Sequence, residues 1–316
     1  MRVVCAPISA GFSGTAADLE IVLFSHADRS RRGAAGANII DIVRRAKLRP
    51  TPRAWDLLSI ALSVIAADTG VRRDESPDGW TREIELVVAV SEPAFWTSQR
   101  NVLESQLRFL TTDLWTLVFR DGGVQPVPPS IPALPDEDCV SLLSGGLDSL
   151  IGAIDLVSRR GKRPHLVSQV AQGDKAKQAY YASKISGGLK HLQLNHDANC
   201  PSVNERSQRG RSVIFLAYAV LLATALKRYH EGHAVPLYVC ENGFISINPA
   251  MTPGRLGSLS TRTTHPVFIS LFQRLLDAAG LRVKVENPYQ LLTKGEMLAS
   301  CADQAFLKKN AHTTTS

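Results

Sequence analysis

From Cys139 onward, short apolar runs alternate with stretches of helical periodicity. "CVSLL", "HLVSQVA", "LKHLQLN", "PLYVCEN" and "RVKVENP" read as strands by their length and β-branched content. Between them, "DSLIGAIDLVSRR", "DKAKQAYYASKISGG", "RSVIFLAYAVLLATALKRYH" and "PVFISLFQRLLDAAG" read as helices. Short apolar strands joined by helices predict a parallel sheet with helices on both faces, and right-handed crossovers then give a doubly wound α/β domain. The pattern before residue 122 is different. "LEIVLF", "TREIELVVAVSEP" and "LWTLVFRD" read as strands, separated by the helical patterns "PRAWDLLSIALSVIAADTG" and "TSQRNVLESQLRFLTTD", the second with Val102, Leu103, Leu107 and Leu110 along one apolar side. This predicts a smaller α+β domain. In "GGVQPVPPSIPALPDED", Gly122 to Asp138, five prolines fall within ten positions, which makes the segment extended and unsuited to helix or central strand. The expected division is therefore 1–121, an N-terminal α+β accessory domain; 122–138, a proline-rich linker; and 139–316, the α/β domain.

Composition leaves this picture in place and narrows the function classes. No run of about 18 apolar residues exists to span a bilayer, and "MRVVCAPISAGFSG" lacks the apolar core of a signal peptide, so a cytoplasmic protein is expected. Five cysteines, at 5, 139, 200, 240 and 301, are odd in number and contain no C-x-x-C pair, which argues against a disulfide framework or a zinc cage. The net charge of +7, from 36 basic and 29 acidic residues, suits a polyanionic ligand such as a nucleotide or nucleic acid; a solvated basic face is the simpler reading and is preferred over a nucleic-acid footprint. The four tryptophans, Trp55, Trp80, Trp96 and Trp115, are expected as core or interface anchors.

The chemistry is concentrated in "CVSLLSGGLDSLIGAIDLV", Cys139 to Val157. A buried strand runs into two glycines and short hydroxyl side chains, and a helix follows at once, so backbone N–H groups and a helix dipole converge where an anion would sit. No Gly-Lys-Ser/Thr follows the glycines and no G-x-G-x-x-G is present, which excludes a Walker A loop and a dinucleotide fingerprint. Gly145 and Gly146 would let the backbone approach a phosphate, and Ser144 and Ser149 would add hydroxyls. Asp148 cannot meet phosphate without repulsion, so its expected role is to hold Mg²⁺.

Ser144, Gly145, Gly146, Leu147, Asp148 and Ser149 match the S-G-G-x-D-S loop of the N-type ATP pyrophosphatases, and the chain resembles that family. Further along, "RGRSVIFLAYA" from Arg209 resembles "PGRNTIFLSLA" of the 7-cyano-7-deazaguanine synthase (QueC) family, with Arg209 and Ser212 replacing its proline and asparagine; "LLTKGEML" resembles that family's "TKAEI", aligning Thr293, Lys294 and Glu296. The resemblance implies a fold of the PP-loop, adenine nucleotide alpha hydrolase-like type. It also implies an ATP-binding set of Ser144 to Ser149 with Arg211 and Lys294, among which Asp148, Arg211 and Lys294 are catalytic. Arg211 would reach the triphosphate and Lys294 the developing pyrophosphate. Glu241 and Asn242 of "VCENG" and Arg262 and His265 of "STRTTHP" are candidates for binding the second substrate. That family also carries four zinc-binding cysteines near its C-terminus. This chain stops at "NAHTTTS", about where the first of them would fall, so no zinc ligand is expected in it.

"ENGFISINPAMTPGRLGSLSTRTTHP" replaces the family's usual substrate loop, and the N-terminal segments resemble the QueC-like proteins of bacterial anti-phage clusters of the Qat and type IV CBASS kinds. The implied function is ATP-dependent adenylation of a deazaguanine carboxylate, 7-carboxy-7-deazaguanine, with Mg²⁺ and release of pyrophosphate. The amine that follows would be ammonia or that of a partner protein from the same gene cluster. Nucleic acid is not expected as the direct substrate, and no membrane partner is expected. The alternatives are queuosine biosynthesis itself, a tRNA-modifying enzyme with the same loop, and a nucleotide-binding scaffold without catalysis.

Overall fold

The computed structural model describes all residues except 13–15, 27–31, 171–172, 202–203, 206–207, 248, 250–261 and 315–316. Two five-stranded sheets, both entirely parallel, organise the chain. It divides into two compact units that are not contiguous in sequence. The first comprises Met1–Ala133, Asn195–Ala217 and Arg274–Leu281; the second comprises Leu134–Leu194, Tyr218–Gln273 and Arg282–Ser316.

The first sheet contains β1 (Arg2–Ala6), β2 (Leu19–Leu23), β3 (Gly33–Ala35), β4 (Glu83–Ala89) and β5 (Leu114–Arg120), in the order β3-β2-β1-β4-β5. Val3 of the central strand pairs with Leu19 on one side and Leu86 on the other. The helices of this part of the chain are α1 (Ile39–Arg45), α2 (Pro52–Gly70), α3 (Pro93–Ser98) and α4 (Arg100–Thr111). The expectation of an α+β domain is therefore corrected to α/β. Strand β1 stands at the very start of the chain with no helical pattern between it and β2, and β3 has three residues of low β-propensity, so the reading of the sequence omitted the central strand that makes the sheet parallel.

Helix α2 is apolar almost all round and lies in the core of this unit, with its polar residues satisfied locally. The Ser59 and Ser63 hydroxyls donate to carbonyls one turn earlier, those of Trp55 and Ser59. Asp56 accepts from the Ser91 N–H and hydroxyl and from Trp96 Nε1. Asp68 and Asp113 share the guanidinium of Arg82, which is 1% exposed, and Asp113 also takes Arg73. Asp68 Oδ2 accepts from Arg209 N at 2.6 Å and Gly210 N at 2.7 Å, so the 195–217 segment is fastened to α2 by the same carboxylate. A proline at 209, as in the stretch that this one resembles, would lack that donor. Trp55, Trp96 and Trp115 are buried, as expected of anchors; Trp80 is half exposed beneath the Arg209 guanidinium, 4.4 Å from its ring centroid.

The proline-rich segment is extended but is not free. Pro126–Pro129 line a groove with Ile40, Val43, Leu48 and Trp55, Gln125 Nε2 donates to Ser91 Oγ at 2.9 Å, and Ala133 N donates to Lys47 O at 2.9 Å. Residues 122–133 thus pack along the first unit. The two structural units also differ from the linear division 1–121, 122–138 and 139–316, because 195–217 and 274–281 join the first.

The second sheet contains β6 (Cys139–Leu142), β7 (Pro164–Gln169), β8 (His191–Leu194), β9 (Val235–Tyr238) and β10 (Val283–Glu286), in the order β10-β9-β6-β7-β8. All five expected strands are present and parallel. The remaining helices are α5 (Leu147–Ser158), α6 (Lys175–Lys184), α7 (Arg211–Ala223), α8 (Lys227–His230), α9 (Gly243–Ser246), α10 (Pro266–Ala278), α11 (Lys294–Ser300) and α12 (Gln304–Asn310). The single helix expected over 211–230 is interrupted after Ala223, giving α7 and α8. The core of this unit joins Leu150, Ile151 and Ile154 of α5 to Leu166, Tyr181, Tyr238, Met297 and Leu307. The strand order reverses between β6 and β9, and such a reversal opens a crevice at the carboxyl ends of the strands.

The Asp68–Arg73–Arg82–Asp113 network gives the first testable outcome. Asp113→Ala removes the closest carboxylate of the buried Arg73 and one of the two that hold the buried Arg82, and should cost about 3–5 kcal/mol. Urea denaturation of the full chain measures this, and a loss below about 1 kcal/mol would show that the network is not a major support of the unit.

Candidate functional site

At the end of β6 the chain turns through Ser144–Gly146 into α5, and the loop is braced by its own side chains. Ser149 Oγ donates to Gly146 O at 2.9 Å and accepts from Ser144 N at 3.2 Å, while Gly146 N donates to Ser144 Oγ at 3.2 Å. The two hydroxyls lie 3.0 Å apart. In this state they shape the turn. Gly145 has φ +93°, a conformation that a side chain would strain. The first turn of α5, with the N–H groups of Leu147, Asp148 and Ser149, has no acceptor four residues back and carries the positive end of the helix dipole. The Leu147 side chain packs against the core of the unit, leaving its backbone for any ligand contact.

The sequence did not reveal what supports the loop from beneath. Gln178 of α6 is fully buried, and its Nε2 donates to Ser144 O at 3.0 Å and Gln169 O at 3.1 Å. Ser168 Oγ donates to Leu143 O and lies 2.7 Å from His191 Nε2. Burial pushes the His191 imidazole down to about 4, so it remains neutral. The signal in the sequence was faint: polar residues within otherwise apolar strand and helix faces.

Asp148, 5% exposed, is where distant parts of the unit meet. Its Oδ2 accepts from Asn242 N at 3.1 Å and Asn242 Nδ2 at 2.6 Å, and its Oδ1 lies 3.4 Å from Lys294 Nζ. Oδ1 is buried and accepts no hydrogen bond. Asn242 caps α9, accepting from Ile245 N at 3.0 Å, and is itself buried. Its side-chain amide thus bridges Asp148 and the first turn of α9. Lys294 is the first residue of α11, fixed there by a capping box in which Thr293 Oγ1 accepts from Glu296 N and Glu296 Oε2 accepts from Thr293 N. At 42% side-chain exposure it pairs with Asp148 while facing solvent.

Glu241 is half-buried beside Asp148. Burial first, then the Asp148 charge, push its carboxyl from the ordinary 4.5 up to about 8, against the pull of Lys294. Its main chain is locked to Asn287, whose Nδ2 donates to Glu241 O at 2.8 Å. Cys240, just before it, is buried against Gly152 of α5, and burial pushes its thiol up, as befits a packed rather than a reactive cysteine. All five cysteines are free and buried.

The turn Arg262–Thr264 packs against α9 and so lies near the Glu241–Asn242 strand end. Burial and the neighbouring Arg262 push the His265 imidazole down, and its Nδ1 accepts from Val267 N at 3.2 Å. Residues 248 and 250–261 of the replaced loop lie outside the described residues. Arg211 belongs to the first unit, at the exposed start of α7; burial first, and then the Arg211 charge, push the His196 imidazole down. Of the sequence-predicted residues, then, the second unit assembles Ser144 to Ser149 with Glu241, Asn242 and Lys294.

Comparison with protein-family models, with curated proteins and with solved structures found no match. Among the described residues, no group of three or more His, Cys, Asp or Glu is arranged to hold a metal ion, and no helix is long and apolar enough to cross a membrane.

The Glu241 shift has a definite sign. A carboxyl raised on folding contributes stability that is full below its unfolded value and is lost as pH rises through its folded value. Stability should therefore decline between about pH 5 and 8, and Glu241→Gln, which mimics the protonated form, should flatten that decline. Urea midpoints across this range provide the measurement; an identical pH dependence in the variant would show that Glu241 titrates normally.

Proposed function

We propose that the second unit is an ATP-dependent adenylating enzyme of the PP-loop type, doubly wound, acting on a deazaguanine carboxylate such as 7-carboxy-7-deazaguanine. The observation that carries this reading is the placement of the Ser144–Ser149 loop at the reversal of strand order, with Asp148 and Lys294 in contact across it. In the reaction a carboxylate oxygen attacks the α-phosphorus of ATP. The bond from that phosphorus to the oxygen bridging to the β-phosphate breaks, and pyrophosphate leaves with the bonding pair.

The first turn of α5 would receive the phosphate oxygens, and Lys294 would meet the charge growing on the pyrophosphate. Asp148 Oδ1, buried without a hydrogen-bond donor, and the neighbouring Glu241 suit Mg²⁺, which keeps several waters and takes one or two carboxylates. When bound, that ion supplies neutralisation of the phosphates. Arg262 and His265 would recognise the polar edge of the nucleobase. An amine then attacks the acyl carbon of the adenylate, forming the C–N bond and releasing AMP and a proton. The resemblance to anti-phage proteins favours an amine of a partner protein over ammonia.

Asp148→Ala removes the acceptor of both Asn242 donors and the partner of Lys294. Pyrophosphate release with ATP, Mg²⁺ and the deazaguanine carboxylate should fall by at least about a hundredfold, with the far-ultraviolet circular dichroism unchanged. Release at the wild-type rate would overturn the assignment.

A further inference from the structure

The chain that delivers Lys294 is tied at both ends to one side chain of α5. Asp155 is 2% exposed. Its Oδ2 accepts from the Tyr289 hydroxyl at 2.9 Å, and its Oδ1 accepts from Ala302 N at 2.8 Å. Arg159 stands 3.9 Å away on the solvent side. Five residues before Lys294 and eight after it, the chain is therefore held by the same carboxylate. Tyr289 is buried, and burial raises its phenol, so the hydroxyl keeps the proton that it donates.

Asp148 and Asp155 are seven residues apart, two turns along one face of α5. Asp148 meets Lys294 in the middle of the 289–302 segment, and Asp155 meets its two ends. A buried carboxylate is costly, and an apolar residue of similar size would fill the same space without removing a charge from water. What the carboxylate adds is direction: it fixes the phenol and an amide N–H at defined distances from the helix that also carries Asp148. The lysine needs such an anchor, because its four-carbon stem holds no geometry by itself.

We propose that Asp155 and Tyr289 are positioning residues that set the Lys294 ammonium opposite Asp148. This rests on the adenylating reading for its catalytic consequence, but the placement of Lys294 can be measured without turnover. In the nucleotide-free full chain, a zero-length carbodiimide should couple Lys294 to Asp148, detected as a cross-linked peptide by mass spectrometry. Tyr289→Phe keeps the ring and removes the donor. Coupling should fall several-fold, while urea denaturation shows the chain still folded. Asp155→Asn, which still offers an acceptor to Ala302 N, should lower coupling to the same degree, and the double variant should add little to either single change.

In turnover, Tyr289→Phe should lower kcat for pyrophosphate release by about tenfold or more, with KM for ATP changed less, since misplacement costs the reacting geometry more than binding. Undiminished coupling in both single variants overturns the proposal, as does a fall in coupling and kcat that only tracks the loss of folded protein. If the wild-type chain releases no pyrophosphate, the adenylating reading fails on its own, and the coupling yields still decide whether Asp155 and Tyr289 position the lysine.

Discussion

One face of helix α5 holds the second unit's site together. Asp148, Gly152 and Asp155 stand on it at positions i, i+4 and i+7, and each meets a different piece of chain. Asp148 takes the Glu241–Asn242 turn and Lys294, while Asp155 takes Tyr289 and Ala302. Between them, Gly152 lets Cys240 approach so closely that an added Cβ would lie 2.3 Å from the cysteine Cβ. That approach brings the chain that follows β9 alongside α5, where the Asn242 N–H reaches Asp148. The constraint is mutual: two buried carboxylates hold the helix in register, and their partners are held by the helix.

The electrostatics of the crevice follow from this arrangement. A carboxylate near the proposed phosphate site would repel the ligand, yet Asp148 is offset by two donors from Asn242 and by the Lys294 ammonium. Glu241 is raised toward neutrality by the same burial and by Asp148, so the second acid adds little negative charge at neutral pH. The open end of α5 then contributes its dipole without a nearby surplus of anions.

The first unit solves a different problem with similar means. Its main helix is buried and could not remain so with bare charges, and each acid on it is matched by guanidinium, indole or backbone donors. Asp68 serves two purposes, neutralising Arg82 and fastening the chain at Arg209 and Gly210. The absence of the resembled motif's proline at position 209 is thereby explained: the backbone N–H there is in use.

The sequence alone determined the elements that obey local rules. The five strands of the second sheet, the strand–loop–helix setting of Ser144 to Ser149, and the limits of α2 were legible because alternation, helical spacing and turn residues act over a few neighbours. Three matters were decided only by the tertiary structure. The first sheet became parallel through β1, whose Val3 pairs with Leu19 on one side and with Leu86, 83 positions on, on the other. Residues 195–217 joined the first unit through a carboxylate 141 positions away. The site was completed by Asn242, 94 residues from Asp148, and by the Asp155–Tyr289 contact across 134. Such pairings leave no periodicity along the chain, since each depends on where two strands or a strand and a helix end in space, and only the folded sheet brings those ends together.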